Sequence, residues 1–325
     1  MNRLLLLFFG LIAALALVFL IGLSFGTVPI GFGDWFHLTE TQRVILIDLR
    51  LSRLLTALLV GGCLAAAGAA FQGVLQNPLA DPYVLGVSAG AGLGATAAIV
   101  FGLVFVHSFW VPASAFLGAL ATIYLVYFLV RFTRKITPTQ FILVGIMVNA
   151  FFSSIMMGLL FLGQQQLTGV MAWLMGDLTR MSLTNLVVLF PIAGVILMLL
   201  IWDAYPLTIL CLGDSYAASV GISVSKLRRR VFIYASLLTG LAVSCGGIIG
   251  FIGLVIPHFL RLMIRDDFRI LIPASFILGG IFLMAADTVA RSILPPLEIP
   301  VGIFASLIGG PFFIFLLIRS YRRSL

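Results

Sequence analysis

Charge is scarce in this chain. Only 9% of its 325 residues are Asp, Glu, Lys or Arg, against about 25% in a water-soluble domain, and that shortage excludes a soluble globular fold. Lysine occurs only as Lys135 and Lys226. Neither follows a glycine or precedes Ser or Thr, so the phosphate-cradling loop of an ATPase is missing. Cysteine is equally sparse: Cys63, Cys211 and Cys245 stand singly, which excludes a disulfide framework and a cysteine metal site. His37, His107 and His258 are far apart. Without a His/Asp/Glu cluster, an intramembrane enzyme and a bound cofactor have no support. The net charge is +8, but the basic residues sit in short loops beside apolar runs. There they record membrane orientation rather than nucleic-acid binding.

What the chain has in excess is hydrophobic sequence, 62% of all residues. Apolar runs of about 20 residues, the length that crosses a bilayer as a helix, recur along its length. Polar stretches are too short to build a second folded unit. The reading is an all-α polytopic membrane protein, one transmembrane domain over 1–325, with about ten transmembrane helices. The spans are 4–24, 53–75, 84–105, 112–131, 139–162, 185–202, 231–250, 252–264, 271–291 and 299–318, the eighth interrupted at Pro257. The first exceeds the apolar core of a secretory signal and reads as a retained anchor. Thr39–Leu49 and Met171–Leu178 are amphipathic and read as helices lying on the membrane interface. With both termini in the cytoplasm, Arg43, Arg50, Arg53, Arg180 and Arg291 fall outside and the other fourteen of nineteen basic residues inside, as the positive-inside rule requires.

The chain is organised around Gly68–Ala95. It holds the sole Asn-Pro pair, Asn77-Pro78, with Pro82 close behind. Proline lacks an amide proton and drives its predecessor out of the α region, so a helix stops near Gln76. Gly86, Gly90 and Gly94 then form a small-residue row where another helix can approach closely. Two helices joined by a polar hinge suit a gate better than a catalytic site. A faint echo links Arg53–Ala80 to Arg230–Phe259: an Arg, an apolar run, a Gly-rich run and a proline. The two run in opposite directions, the mark of inverted-topology repeats in transporters.

Uphill transport needs energy. Ion coupling calls for an ionisable group within the membrane, and Asp287 is the candidate. Its i, i+4 spacing from Arg291 favours a pair on one helix face over a proton relay. Energy then arrives through a partner. The receiver is the polar loop 203–229, where Asp214 can start a helix and Ala217, Ala218 and Gly221 offer a small-residue face.

The segments NPLADPYVLGVSAGAGLGA, LGDSYAASVGI, GIIGFIGLVIPHFLR, ADTVAR and EIPVGIFASLIGGPFFI resemble, in order and over nearly the whole chain, the FecCD-type permeases of ABC importers for iron-siderophores, haem or cobalamin. The resemblance implies a non-enzymatic transport subunit of a prokaryotic plasma (inner) membrane. It implies ten spans, a dimeric second permease subunit, two separate ABC ATPase subunits and an external binding protein that delivers the metal chelate. By position, Asn77, Leu79, Pro138 and Thr139 would form the cytoplasmic gate. Gly213, Asp214, Ala217, Ala218 and Gly221 would couple to the ATPase, and Arg50, Arg53 and Arg291 would dock the binding protein. An iron-siderophore is the leading substrate, with cobalamin and haem as alternatives and an ion-coupled secondary transporter as the reading from a different class. Two positions depart from the family pattern: Ser52 stands where proline is common, and Gln76 where a basic residue is common.

Overall fold

The computed structural model describes residues 2–324 apart from 27, 29, 30, 32, 34, 36–38, 108, 133–137, 265, 295 and 296. His37, the Arg134-Lys135 basic loop and Arg265 therefore lie outside the described residues. The structure is all-α. Ten helices form the bundle: α1 (Asn2–Ser24), α2 (Ser52–Val74), α3 (Val87–Val100), α4 (Trp110–Phe132), α5 (Pro138–Leu162), α6 (Leu183–Trp202), α7 (Val224–Gly246), α8 (Ile252–Arg261), α9 (Phe268–Ala290) and α10 (Val301–Ser324). Eight of them have 20 to 25 residues, which at about 1.5 Å per residue is the length of a bilayer's apolar core. Among the described residues α1, α2 with the turns before it, α4, α5, α6 and α9 are also apolar enough to cross one. Large apolar side chains such as Leu6, Phe9, Met147 and Val187 cover the outside of α1, α5 and α6, as helices facing lipid require.

The centre is α2. Its sequence, rich in Ala and Gly, is buried from Leu54 to Val74 nearly without a break, and small side chains let neighbouring backbones come close. The tightest approach is at Gly68, where an added Cβ would land on the carbonyl of Gly253 in α8. Helix α9 lies antiparallel to α2: Arg53 at the start of α2 meets Asp287 near the end of α9, and Gly73 faces the Phe268 ring at the other end. Helix α7 is antiparallel to α2 as well, since Arg228 near its start and Gln76 just past α2 reach the same carboxylate, Asp214. The bundle thus has an Arg53 end and an Asp214 end.

Three sequence expectations are corrected. The interfacial helix over 39–49 is continuous with α2. Thr39 caps it through a reciprocal box with Gln42, and Ile45–Leu51 form a π-turn without a break. Ser52 Oγ closes that turn by donating to the carbonyls of Asp48 (2.5 Å) and Leu49 (3.1 Å), which proline could not do. Of Met171–Leu178 only the first four residues are helical, as the end of a helix Leu167–Leu174, and Trp173 and Leu178 are buried while Met171 and Met175 are exposed. Helix α8 is not interrupted at Pro257. Proline leaves the carbonyl four residues back without its donor, and here that carbonyl, Gly253 O, accepts from Gln72 Nε2 at 3.2 Å. The break comes earlier, where Gly247 and Phe251 adopt positive φ between α7 and α8.

Candidate functional site at the Asp214 end

Helix α2 ends in a Schellman motif. The Gln76 amide donates to Gly73 O at 3.2 Å and the Asn77 amide to Gln72 O at 3.1 Å, which satisfies carbonyls left over at the helix end. The geometry needs a left-handed residue, and Gln76, with φ 49°, takes the place glycine usually holds. Asn77 Oδ1 accepts from the Leu79 amide at 2.9 Å and fixes the turn around Pro78. Asp81 then caps the short helix Pro82–Leu85 through the Tyr83 amide. The Tyr83 hydroxyl donates to Ile249 O (2.9 Å) and accepts from Ile249 N (3.0 Å), clamping the hinge to the unwound stretch between α7 and α8.

The second part is the loop after α6. Helix Ala204–Leu210 packs inward through Leu207 and Leu210, and Asp203 is held by Arg230 at 2.6 Å. A six-residue helix, Asp214–Ser219, follows. It is set off by Gly213 (φ 124°) and Gly221 (φ 86°), both in backbone conformations that L side chains rarely adopt and both surrounded by open space. Tyr216 and Ala218 face outward. Ala217 is buried, so of the small-residue face expected here it serves as an anchor beneath and not as surface. Asp214 Oδ1 accepts from Arg228 Nη2 at 2.8 Å.

The gate candidates meet at this end. Pro138 and Phe141 at the start of α5 share a crevice with Val74 and Leu75 at the end of α2, and with Arg228 and Phe232 of α7. Asn77 is half-buried, whereas Leu79 and Thr139 are exposed. Of the four candidates Pro138 therefore borders the end of α2, just before the bend at Gln76-Asn77, and Arg228 lines the same crevice.

At the Arg53 end the three arginines are not free forks. Arg50 donates to the carbonyls of Leu23 (2.6 Å), Ser24 (3.1 Å) and Val28, and Arg291 donates to Gly22 O. Both are buried, tying α1 to α2 and α9. Arg53 is bound to Asp287 at 2.8 Å and to Glu298 at 2.5 Å. The expected Asp287–Arg291 pair is only a long 3.9 Å contact; the principal partner of Asp287 is on another helix. The three arginines line a cavity of about 180 Å³ together with the partly exposed Glu298. Sequence reasoning missed Glu298, Arg228 and Tyr83, whose partners lie far along the chain.

A many-helix membrane protein with a broken-helix hinge beside an exposed short helix is the architecture of a permease. Residues 14–319 match the FecCD transport family, and the chain belongs to it. It is 37% identical over 324 residues to YvrB of Bacillus subtilis, an uncharacterised ABC transporter permease protein, covering 95% of this chain and 92% of that one. It is 38% identical over 282 residues to BtuC of Halobacterium salinarum, a cobalamin import system permease protein, covering 87% and 75%. A solved inward-facing structure, described as a metal-chelate type ABC transporter, matches with a TM-score of 0.87 and 29% identity over 96% of this chain and 98% of that one. The relatives are permease components of ABC importers, which work with a separate ATPase and a binding protein, and the chain is a multi-pass membrane protein of that kind.

Proposed function

We propose that this chain is the translocating subunit of an ATP-driven importer that takes a metal chelate from an external binding protein, with an iron-siderophore as the first substrate to test. Two copies form the path along their two-fold axis, two ATPase subunits grip the Asp214 end in the cytoplasm, and the Arg53 end faces outward in the inner membrane. The carrying observation is the helix Asp214–Ser219, which stands between two open glycines and leaves Tyr216 and Ala218 uncovered. A protruding element with an unpartnered face suits capture by another protein. Asn77, Leu79, Pro138 and Thr139 form the inner gate. At the other end the binding protein meets the rim around Glu298 and Arg53, over arginines whose buried positions hold that rim rigid.

Relatives named for hemin, iron(3+)-hydroxamate and vitamin B12 import support a bulky chelate and leave its identity to the binding protein. Ion coupling fits poorly, because Asp287 is fully buried and bound by Arg53. The test is ATP hydrolysis in liposomes holding the chain with its ATPase. Binding protein loaded with ferric siderophore stimulates hydrolysis above the empty transporter and drives uptake, and ferric siderophore is replaced by haem or cobalamin in parallel arms. Uptake driven by a pH or sodium gradient without nucleotide refutes the proposal.

A further inference from the structure

The gate residues and the exposed short helix belong to segments far apart in sequence, and one side chain spans them. From its left-handed position, Gln76 sends its carboxamide out of α2. Nε2 donates to Leu210 O at 2.8 Å and reaches Asp214 Oδ1 at 3.4 Å, 134 and 138 residues away. Leu210 is the buried last residue of the helix before the exposed one, and Asp214 is the first residue of the exposed one. The next residues after Gln76 are Asn77 and Pro78, the bend itself. The same carboxylate oxygen holds Arg228, whose side chain lines the crevice with Pro138 and Leu75. Asp214 thus has a tie to each candidate constriction: through Gln76 to Asn77-Leu79, and through Arg228 to Pro138.

Local economy does not account for glutamine at this place. Glycine would adopt the left-handed φ without penalty, whereas a residue with a Cβ meets a steric cost there. The motif closes through backbone amides alone, and the carboxamide contributes nothing to it. Its reach to the loop is what the side chain adds. A contact of this kind transmits position, since displacing Asp214 and the Leu210 carbonyl pulls on the first residue of the bend and not on the middle of a rigid helix.

On the functional reading above, we infer that Gln76 is a positioning residue that couples movement of the helix Asp214–Ser219 to the bend at Asn77-Pro78. Its carboxamide acts as the link and its left-handed backbone as the pivot. Removing the carboxamide leaves ATPase docking and hydrolysis in place and cuts their effect on the gate.

The experiment follows gate exposure directly. In the complete transporter with its ATPase, carrying Cys211→Ser and Leu79→Cys, the rate of alkylation by a membrane-impermeant maleimide is measured without nucleotide and with ATP plus vanadate. With Gln76 present the two rates differ. Gln76→Ala and Gln76→Gly both reduce that ratio about five- to tenfold, the low end of a typical coupling between sites, while ATPase binding is kept. Gln76→Arg, which again offers donors to the Leu210 carbonyl and Asp214, restores it. Agreement of the Ala and Gly variants assigns the effect to the lost link, because only glycine relieves the backbone. A ratio kept in full by Gln76→Ala, or a loss confined to one of the two variants, overturns the link while the functional reading stands. A ratio of one with Gln76 in place and the ATPase bound overturns both.

Discussion

Removing one carboxyl at the Arg53 end discriminates a structural from an ion-carrying role for Asp287. Its side chain is fully buried between Arg53, which is 11% exposed, and Arg291, which is 4% exposed. Arg53 also reaches Glu298, which is 40% exposed. Asp287→Asn keeps the shape and removes the charge, leaving Arg50, Arg53 and Arg291 facing one half-exposed carboxylate. Breaking a buried pair by removing one partner costs roughly 3–5 kcal/mol, because the other charge stays desolvated. Glu298→Gln removes the solvent-screened half and costs below about 1 kcal/mol. Arg53→Met falls between them, since Arg291, now 3.9 Å from Asp287, can move into the vacated place. The assay is reversible unfolding in mixed micelles by SDS titration, followed by circular dichroism, on the three variants and the Arg53→Met/Asp287→Leu double variant. The double variant recovers part of the loss, because no charge of that pair is left stranded. A proton carrier behaves oppositely, with Asp287→Asn folding normally and abolishing gradient-driven uptake. A loss under about 1 kcal/mol for Asp287→Asn would refute the argument.

Tyr83→Phe strips both hydrogen bonds from the Ile249 peptide, which is buried. It lowers stability by about 1–3 kcal/mol and speeds hydrogen exchange at the Ile249 amide. Ala218→Trp, on the exposed side of the short helix, leaves folding intact and abolishes ATPase co-purification, whereas Ala217→Trp, at a buried site, fails to fold. Burial pushes the Asp177 carboxyl up, but the Thr179 hydroxyl, the Thr179 amide and the Arg180 guanidinium outweigh it and hold it below the ordinary carboxylate value. A depressed folded pKa means stability that is full above the unfolded value of about 3.9 and lost as pH falls through the folded one. Asp177→Asn therefore flattens the acid limb of stability below about pH 4, read in the same SDS titration.

The spans were legible because apolar length is a local property, read directly from composition. The hinge was legible for the same reason, as Asn77-Pro78 stops a helix whatever surrounds it. Periodicity alone misled at Trp173, where an amphipathic face of eight residues shows that one side is apolar but not whether lipid or protein covers it. At Asp287 it found the i, i+4 neighbour Arg291, which stands 3.9 Å away, and hid the closer partner Arg53, 234 residues away.

By itself the sequence determined an all-helical membrane chain, its broken helix and its small-residue contacts, because bilayer thickness and backbone sterics act on neighbours along the chain. Only the tertiary structure decided that Arg50 and Arg291 are buried ties, that Ala217 is an anchor, and that Gln76 and Arg228 converge on Asp214. Those outcomes depend on which helices are brought side by side, and a buried charge or carboxamide takes whichever partner the packing puts within reach.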